Sequence, residues 1–193
     1  MAAKTASILG LALASALSSC SSPPSRFYIL TATAQQEEGA PAVRYSVVVD
    51  GVTIPAAVDR PQFVVQKSPN RVAIDEFNRW AAPLAPSVAR AIVENLVVLL
   101  GTARVATGPL APSFDPAYRV AIDIQRFESL PGEATTLDAV WVLRSATASV
   151  SGRTTLREPV QGEGYEALAA AHSRAIARLS RELAAAIRAE AAR

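Results

Sequence analysis

Alternation of apolar and polar residues is the clearest pattern in this chain, and it predicts β-strands. Every second residue between positions 118 and 125 is apolar or aromatic, namely Tyr118, Val120, Ile122 and Ile124. Such a period of two predicts a strand with one buried face. The same period predicts a second strand from residue 137 to about 150, a turn at Ser151–Gly152 and a third strand over 154–160.

Further strands are predicted in the first half of the chain. Residues 27–30 form a short apolar run, and residues 43–52 carry apolar side chains in both phases, which is typical of a central strand covered on both faces. Residues 62–67 and 71–75 flank a Ser-Pro-Asn turn and predict a hairpin. A short strand is predicted at Val105.

Apolar residues at spacings of three and four predict two helices. Residues 77–84 are expected to lead into the first helix. Pro83 and Pro86 fit its entry, since proline is tolerated in a first helical turn, and Gly101 is a plausible end. The second helix covers 165–192 and is rich in alanine, the best helix former. The fold class expected is therefore α/β (α+β): a single domain with a mixed, mostly antiparallel sheet and two long helices packed against it.

The first twenty residues have the pattern of a secretory signal, with one lysine followed by twelve apolar or small residues over 6–17. Leu17, Ser18, Ser19 and Cys20 then resemble the lipobox of bacterial lipoproteins. That resemblance implies cleavage before Cys20 and acylation of its thiol and new amino terminus, with palmitate as an expected lipid. An ordinary signal peptide or a buried N-terminal helix are the alternatives. The lipobox is favoured because the chain's one cysteine stands at this position.

These features divide the chain into a signal peptide over 1–19, a lipidated cysteine with a short tether over 20–26, and a folded domain over 27–193. The tether spans at most about 20 Å. Each acyl methylene buried in a membrane contributes about 0.8 kcal/mol, so several chains hold the protein firmly. Ser21 and Ser22 follow the cysteine where inner-membrane lipoproteins carry Asp. By resemblance to enterobacterial sorting, this favours the periplasmic face of the outer membrane.

Composition excludes several classes of protein. A net charge of +2 is too small to indicate a nucleic-acid partner. The longest apolar run is shorter than the roughly 20 residues that a spanning helix needs. One cysteine excludes a disulfide framework and a Cys-rich zinc site. Because no Gly-rich phosphate loop and no nucleophile constellation is present, we expect no catalytic residues, no metal, and no cofactor besides the covalent lipid on Cys20.

A few side chains are candidates for binding. Arg79 and Trp80 are candidate partner-binding residues, since both types are enriched at interface hot spots. Alternatively, Trp80 anchors the start of the first helix in the core, which the pattern favours. Trp141 alternates with core-facing residues and is expected in the core. His172 has no ligand cluster and no Ser/Asp arrangement near it in the sequence, so a structural or surface role is favoured over a catalytic one.

The order of several motifs resembles one family. After the lipobox come Ile54-Pro55, Asp59–Gln62, Asn70-Arg71, Asn78–Leu84 and Glu94–Leu96. This order resembles the PqiC (YmbA-like) lipoproteins, also called ABC-type transport auxiliary lipoproteins. The resemblance implies an outer-membrane accessory subunit that docks an MCE-domain (PqiB-like) periplasmic protein, carries no catalytic residues and supports lipid transport and membrane integrity. The fold implied is a mixed sheet with two helices.

Two other functions stay open at this point. The chain could be a periplasmic carrier or chaperone that itself holds an acyl chain, or, less in keeping with its residues, a periplasmic hydrolase. A ring-shaped partner would also favour a symmetric homo-oligomer. The lipid cargo, the direction of transport and the interface residues are not given by the sequence.

Overall fold

The computed structural model describes residues 22–36, 39, 41–108 and 115–193. The predicted signal peptide, the lipobox residues Leu17, Ser18 and Ser19, and Cys20 lie outside the described residues. The strands within the described part are β1 Arg26–Tyr28, β2 Val47–Thr53, β3 Gln62–Ser68, β4 Arg71–Trp80, β5 Val105–Thr107, β6 Tyr118–Leu130, β7 Ala134–Arg144 and β8 Ser149–Pro159. The helices are α1 Leu84–Leu100 and α2 Gly164–Ala191.

Five strands form the larger sheet, in the order β5-β2-β6-β7-β8. Strand β2 is parallel to both of its neighbours, whereas β6, β7 and β8 are antiparallel. The pairing of Ile122 with Trp141 and of Ile124 with Ala139 places apolar side chains on one face. Both helices cover this sheet and pack on each other, with α1 over β2 and β5 and α2 over β7 and β8.

The remaining strands form a smaller sheet in the order β1-β4-β3. Strands β3 and β4 are the predicted hairpin, and the short β1 is parallel to β4. Strand β3 packs against β6 of the larger sheet. The α+β fold class is thus confirmed, with the strands divided between two sheets rather than joined in one.

An aromatic cluster joins the smaller sheet to α2. The Phe63 ring stacks on Trp80 with centroids 4.3 Å apart. The rings of Tyr28 and Tyr165 meet Phe63 edge-on, at 5.8 and 5.2 Å. Each such pair is worth about 0.5–1.5 kcal/mol beyond its buried area. This cluster holds β1, β3, β4 and the start of α2 together.

Strand β4 is longer than the sequence predicts, because residues 77–80 belong to the strand instead of leading into α1. An irregularity hides the strand pattern: the backbone N–H groups of Phe77 and Asn78 both donate to Oδ1 of Asp75, at 2.9 and 2.8 Å. The register with β3 shifts at the same place. Since the bulge interrupts the alternation of faces, the residues beyond it no longer look like a strand.

The predicted turn at Ser151–Gly152 is wrong. Strand β7 ends at Arg144, the turn lies over residues 145–148, and Gly152 is inside β8 opposite Trp141. A Cβ atom at position 152 would lie only 2.2 Å from Cζ2 of Trp141. The glycine therefore makes room for the indole, which is buried as predicted and donates to Oγ1 of Thr154 at 3.2 Å.

Helix α1 ends as predicted at Gly101, which adopts a left-handed conformation with φ of 62°. Within α1, the fully buried Asn95 fixes the segment that follows β1. Its side-chain oxygen accepts hydrogen bonds from the backbone N–H groups of Thr33 and Ala34, at 3.0 and 2.8 Å. A loop without regular structure is thereby held against the helix pair.

Candidate docking surface

The two predicted partner-binding residues lie in different environments. Trp80 is only 6% exposed and stacks on Phe63, so its ring lies in the core, as the alternative interpretation had it. Arg79 is half-buried and stands opposite Phe27 of β1 in the strand register. Contact of Arg79 with a partner stays a prediction.

Several exposed apolar side chains lie on the same small sheet as Arg79. Most of the large hydrophobic residues that are exposed in the described part of the chain belong to β1, β4 or the residue after β1. We call this surface the tether face; its members are Phe27 (62% exposed), Ile29 (59%), Val72 (58%), Ile74 (44%) and Phe77 (38%). Large exposed apolar side chains gathered on one small sheet indicate an interaction surface.

The strand register explains why these side chains point away from the core. Phe63 and Val65, both buried, pair with Asp75 and Ala73. Ile74 is one residue out of phase with that buried set, and therefore lies on the opposite face of the hairpin. The same phase places Val72 outside.

The tether face is bordered by cations that the protein leaves without ion pairs. Arg26, Lys67 and Arg71 are exposed, and within the described residues none of them forms a salt bridge. Glu76 is the acidic neighbour on β4, and it accepts a hydrogen bond from Nε2 of Gln62 at 3.2 Å. Glu133, which lines the same groove as Lys67, is paired with Arg157. Lys67 and Arg71 are thus the cations without ion pairs at the hairpin turn.

Asp75 is turned toward α2 and does not add to this surface. It accepts a hydrogen bond from the Tyr165 hydroxyl at 2.7 Å. Burial raises the pKa of Asp75, but hydrogen bonds from Tyr165 and from the N–H groups of Asn78 and Phe77 outweigh burial, and the net pKa is lowered. Burial and the neighbouring carboxylate raise the pKa of Tyr165. The pair is a structural link between β4 and α2.

Most arginines of the larger sheet, unlike those around the tether face, form ion pairs with acidic side chains. The pairs are Arg119–Asp50 at 2.7 Å, Arg126–Glu128 at 2.7 Å, Arg153–Asp138 at 2.5 Å and Arg157–Glu133 at 2.9 Å. Hydrogen bonds from Arg153 hold the pKa of Asp138 below its usual value. Exposed pairs add little stability, but they leave little net charge to attract a ligand.

Three arginines of α2 are likewise bound within the protein. Arg174 and Arg178 both contact Glu158, at 2.8 and 3.4 Å. Arg188 donates to the carbonyl oxygens of Leu99 and Pro41, at 2.8 and 3.0 Å. These side chains fix the helix to its neighbours.

His172 has a serine partner that the sequence analysis missed. Oγ of Ser129, 43 residues earlier, lies 2.8 Å from Nε2 of His172. The imidazole is fully buried and stacks on Phe127 with centroids 3.9 Å apart, and burial lowers its pKa to about 3. A neutral imidazole that no substrate can reach is a core side chain, which confirms the structural interpretation.

Residues 22–36, 39, 41–108 and 115–193 contain neither a metal site nor a membrane-spanning helix. No group of three His, Cys, Asp or Glu side chains is placed to hold a metal ion. No helix there combines the length and the apolar composition needed to cross a membrane.

Comparison with known families decides the classification. A family described as the ABC-type transport auxiliary lipoprotein component matches residues 28–184. That range includes β2 to β8, all of α1 and about three quarters of α2. The chain belongs to this family. The resemblance to the PqiC (YmbA-like) lipoproteins is therefore confirmed, and the protein is an auxiliary component of a transport system, in a class that is not one of enzymes. Membership of a lipoprotein family indicates a membrane-anchored protein of the periplasm.

Solved structures show the same fold. A crystal structure described as an uncharacterized protein is 21% identical, with a TM-score of 0.67, and covers 80% of this chain and 99% of its own. A protein from Xanthomonas campestris of the family DUF330 is 23% identical, with a TM-score of 0.67, over 82% of this chain and 92% of its own. No curated protein matches the sequence.

Proposed function

We propose that this auxiliary lipoprotein is anchored to the periplasmic face of the outer membrane through Cys20 and docks an MCE-domain (PqiB-like) protein of an intermembrane lipid transport system. In this role it would help to maintain membrane integrity. The observation that carries the proposal is the family match over residues 28–184, joined to the lipobox that ends at Cys20.

The interior of the domain supports docking over transport of lipid by the chain itself. The cavity beside Phe63 and Trp80 has a volume of about 10 Å³, far less than an acyl chain needs. Most apolar side chains of the two sheets and helices fill one continuous core. What the structure offers a ligand is surface, which suits an accessory subunit.

One feature favours the alternative, a carrier that holds an acyl chain. A groove of about 690 Å³ lies between α1 and the β2–β5 edge, with Ala89, Val93 and Val105 among its lining residues. Native mass spectrometry of the purified lipoprotein tests this alternative. A carrier would retain a non-covalent lipid, whereas a docking subunit would carry only its covalent acyl chains.

The anchor is tested with Cys20→Ser and the matched control Ser21→Ala. We expect radiolabelled palmitate to enter the wild type and Ser21→Ala but not Cys20→Ser, because the thiol is the acylated group. Membrane fractionation should place the two acylated proteins in the outer membrane. Recovery of acylated protein in the inner membrane would contradict the outer-membrane assignment.

The docking role is tested on the acylated full chain. Membranes that hold it are cross-linked and solubilised, and an MCE-domain protein from the same genome is sought by immunoprecipitation. The Cys20→Ser variant serves as the control, because it should not reach the partner's position at the membrane. Failure of the acylated wild type to capture an MCE-domain protein would refute the docking role.

A further inference from the structure

We propose that the tether face lies on the surface of the anionic phospholipid leaflet in which Cys20 is anchored. This inference rests on the acylation of Cys20 in the proposed function. The surface formed by Phe27, Ile29, Val72, Ile74 and Phe77 would then contact lipid and not another protein.

The parallel pairing of β1 with β4 gives the direction in which the tether leaves the domain. Arg26 pairs with Asn78 and Tyr28 with Trp80, so both strands run the same way. Residues that precede Arg26 therefore point toward the turn of the β3–β4 hairpin, at Ser68 to Arg71. Followed from Arg26 toward Cys20, the tether therefore runs toward the end of the tether face where Val72 lies.

The length of the tether matches the length of the β3–β4 hairpin. Cys20 stands six positions before Arg26, and an extended chain rises about 3.3 Å per residue. The hairpin is measured along β3, because the bulge sets four steps of β4, from Asp75 to Arg79, against one step of β3. Six steps along β3 lead from Gln62, the partner of Arg79, to Ser68 at the turn. An extended tether thus carries the acyl chains to the level of the hairpin turn, and residues 22–25 are exposed as this path requires.

Charge at the hairpin turn selects the kind of lipid. Lys67 and Arg71 flank this turn, and neither forms an ion pair within the described ranges. Basic side chains near a bilayer are attracted to anionic headgroups. Apolar side chains beside them bury their surface at the boundary between headgroups and acyl chains, in the manner of an interfacial element.

The test measures lipid contact site by site in the acylated full chain. Acylation consumes the thiol of Cys20, so Val72→Cys and Phe77→Cys each add one free thiol for an environment-sensitive fluorophore. Ser151→Cys is the control, since position 151 is exposed on an edge strand of the larger sheet. The proteins are reconstituted in phosphatidylcholine vesicles with or without phosphatidylglycerol. Some of the vesicle phospholipids carry a quencher on their acyl chains, close to the headgroup.

We expect the labels at 72 and 77 to emit at shorter wavelength and to lose several times more fluorescence to the quencher than the label at 151. The loss should be greater in vesicles that contain phosphatidylglycerol. Equal quenching at all three positions would overturn the proposal. A blue shift without quenching would overturn it too, because a second copy or a partner protein would then cover the surface. Equal quenching in both kinds of vesicle would refute the part played by anionic lipid.

The mass of the purified chain, which shows whether Cys20 is acylated, distinguishes failure of this inference from failure of the proposed anchor. If the purified chain carries no acyl groups, the proposed anchor itself fails. If the chain is acylated and floats with the vesicles while its labels stay unquenched, only the orientation of the domain is wrong.

Discussion

Acid should destabilise this protein through a single side chain over a defined range of pH. His172 is the chain's one histidine. Its pKa is about 3 in the folded domain, against about 6.5 in an unfolded chain. Between these values the unfolded chain binds a proton that the folded domain does not, so the free energy of unfolding falls as pH falls. The slope reaches about 1.4 kcal/mol per pH unit, and the total loss is at most about 5 kcal/mol.

The assay is urea denaturation of the wild type and of His172→Gln at neutral pH and near pH 5. Glutamine keeps an amide near Ser129 but cannot titrate. We expect the wild type to lose about 2 kcal/mol more than the variant between these conditions. The carboxylates of Asp75 and Asp138 have lowered pKa values, so their contributions to stability persist in this range and are lost only at lower pH. Parallel losses in the two proteins would show that His172 is not buried and neutral.

Two substitutions test the packing described above by chemical denaturation. Gly152→Ala should destabilise the domain by about 1–3 kcal/mol through overpacking against Trp141. Gly51→Ala should change stability far less, because a Cβ atom at position 51 has no neighbour within 4 Å. Equal effects of the two substitutions would refute the steric explanation. Asn95→Ala should cost about 1–3 kcal/mol, because two part-buried backbone N–H groups lose their acceptor. Glu94→Ala, at a neighbouring half-exposed side chain, should be nearly neutral. Proteolysis within residues 31–36 should accelerate in Asn95→Ala alone.

The elements with a strong local period could be predicted from the sequence. Helix α1 shows its stripe and its glycine stop at Gly101, and the β3–β4 hairpin shows its turn. In both cases neighbours in the sequence determine the structure, since i, i+4 contacts and a tight turn are local interactions.

What sequence reasoning missed depends on residues that are distant in the chain. Gly152 resembles a turn residue until Trp141 is seen beside it, and Ser129 shows no link to His172 across 43 residues. The division into two sheets has no local signal at all. The tether face was missed for the same reason: Phe27 and Ile74 become one surface only after β1 and β3 have paired with β4.

Strand β1 has only three residues, yet with Cys20 acylated as proposed, any pull between the lipid and the domain passes through it. Such a force acts along the strand when the tether extends in line with β1. In that geometry tension shears the β1–β4 hydrogen bonds together, where a perpendicular pull would break them one after another. The ring of Tyr28, wedged against Phe63 and hydrogen-bonded to Asn78 at 2.7 Å, resists the same sliding movement. A strand of three residues is thus placed to act as the mechanical clamp of the fold.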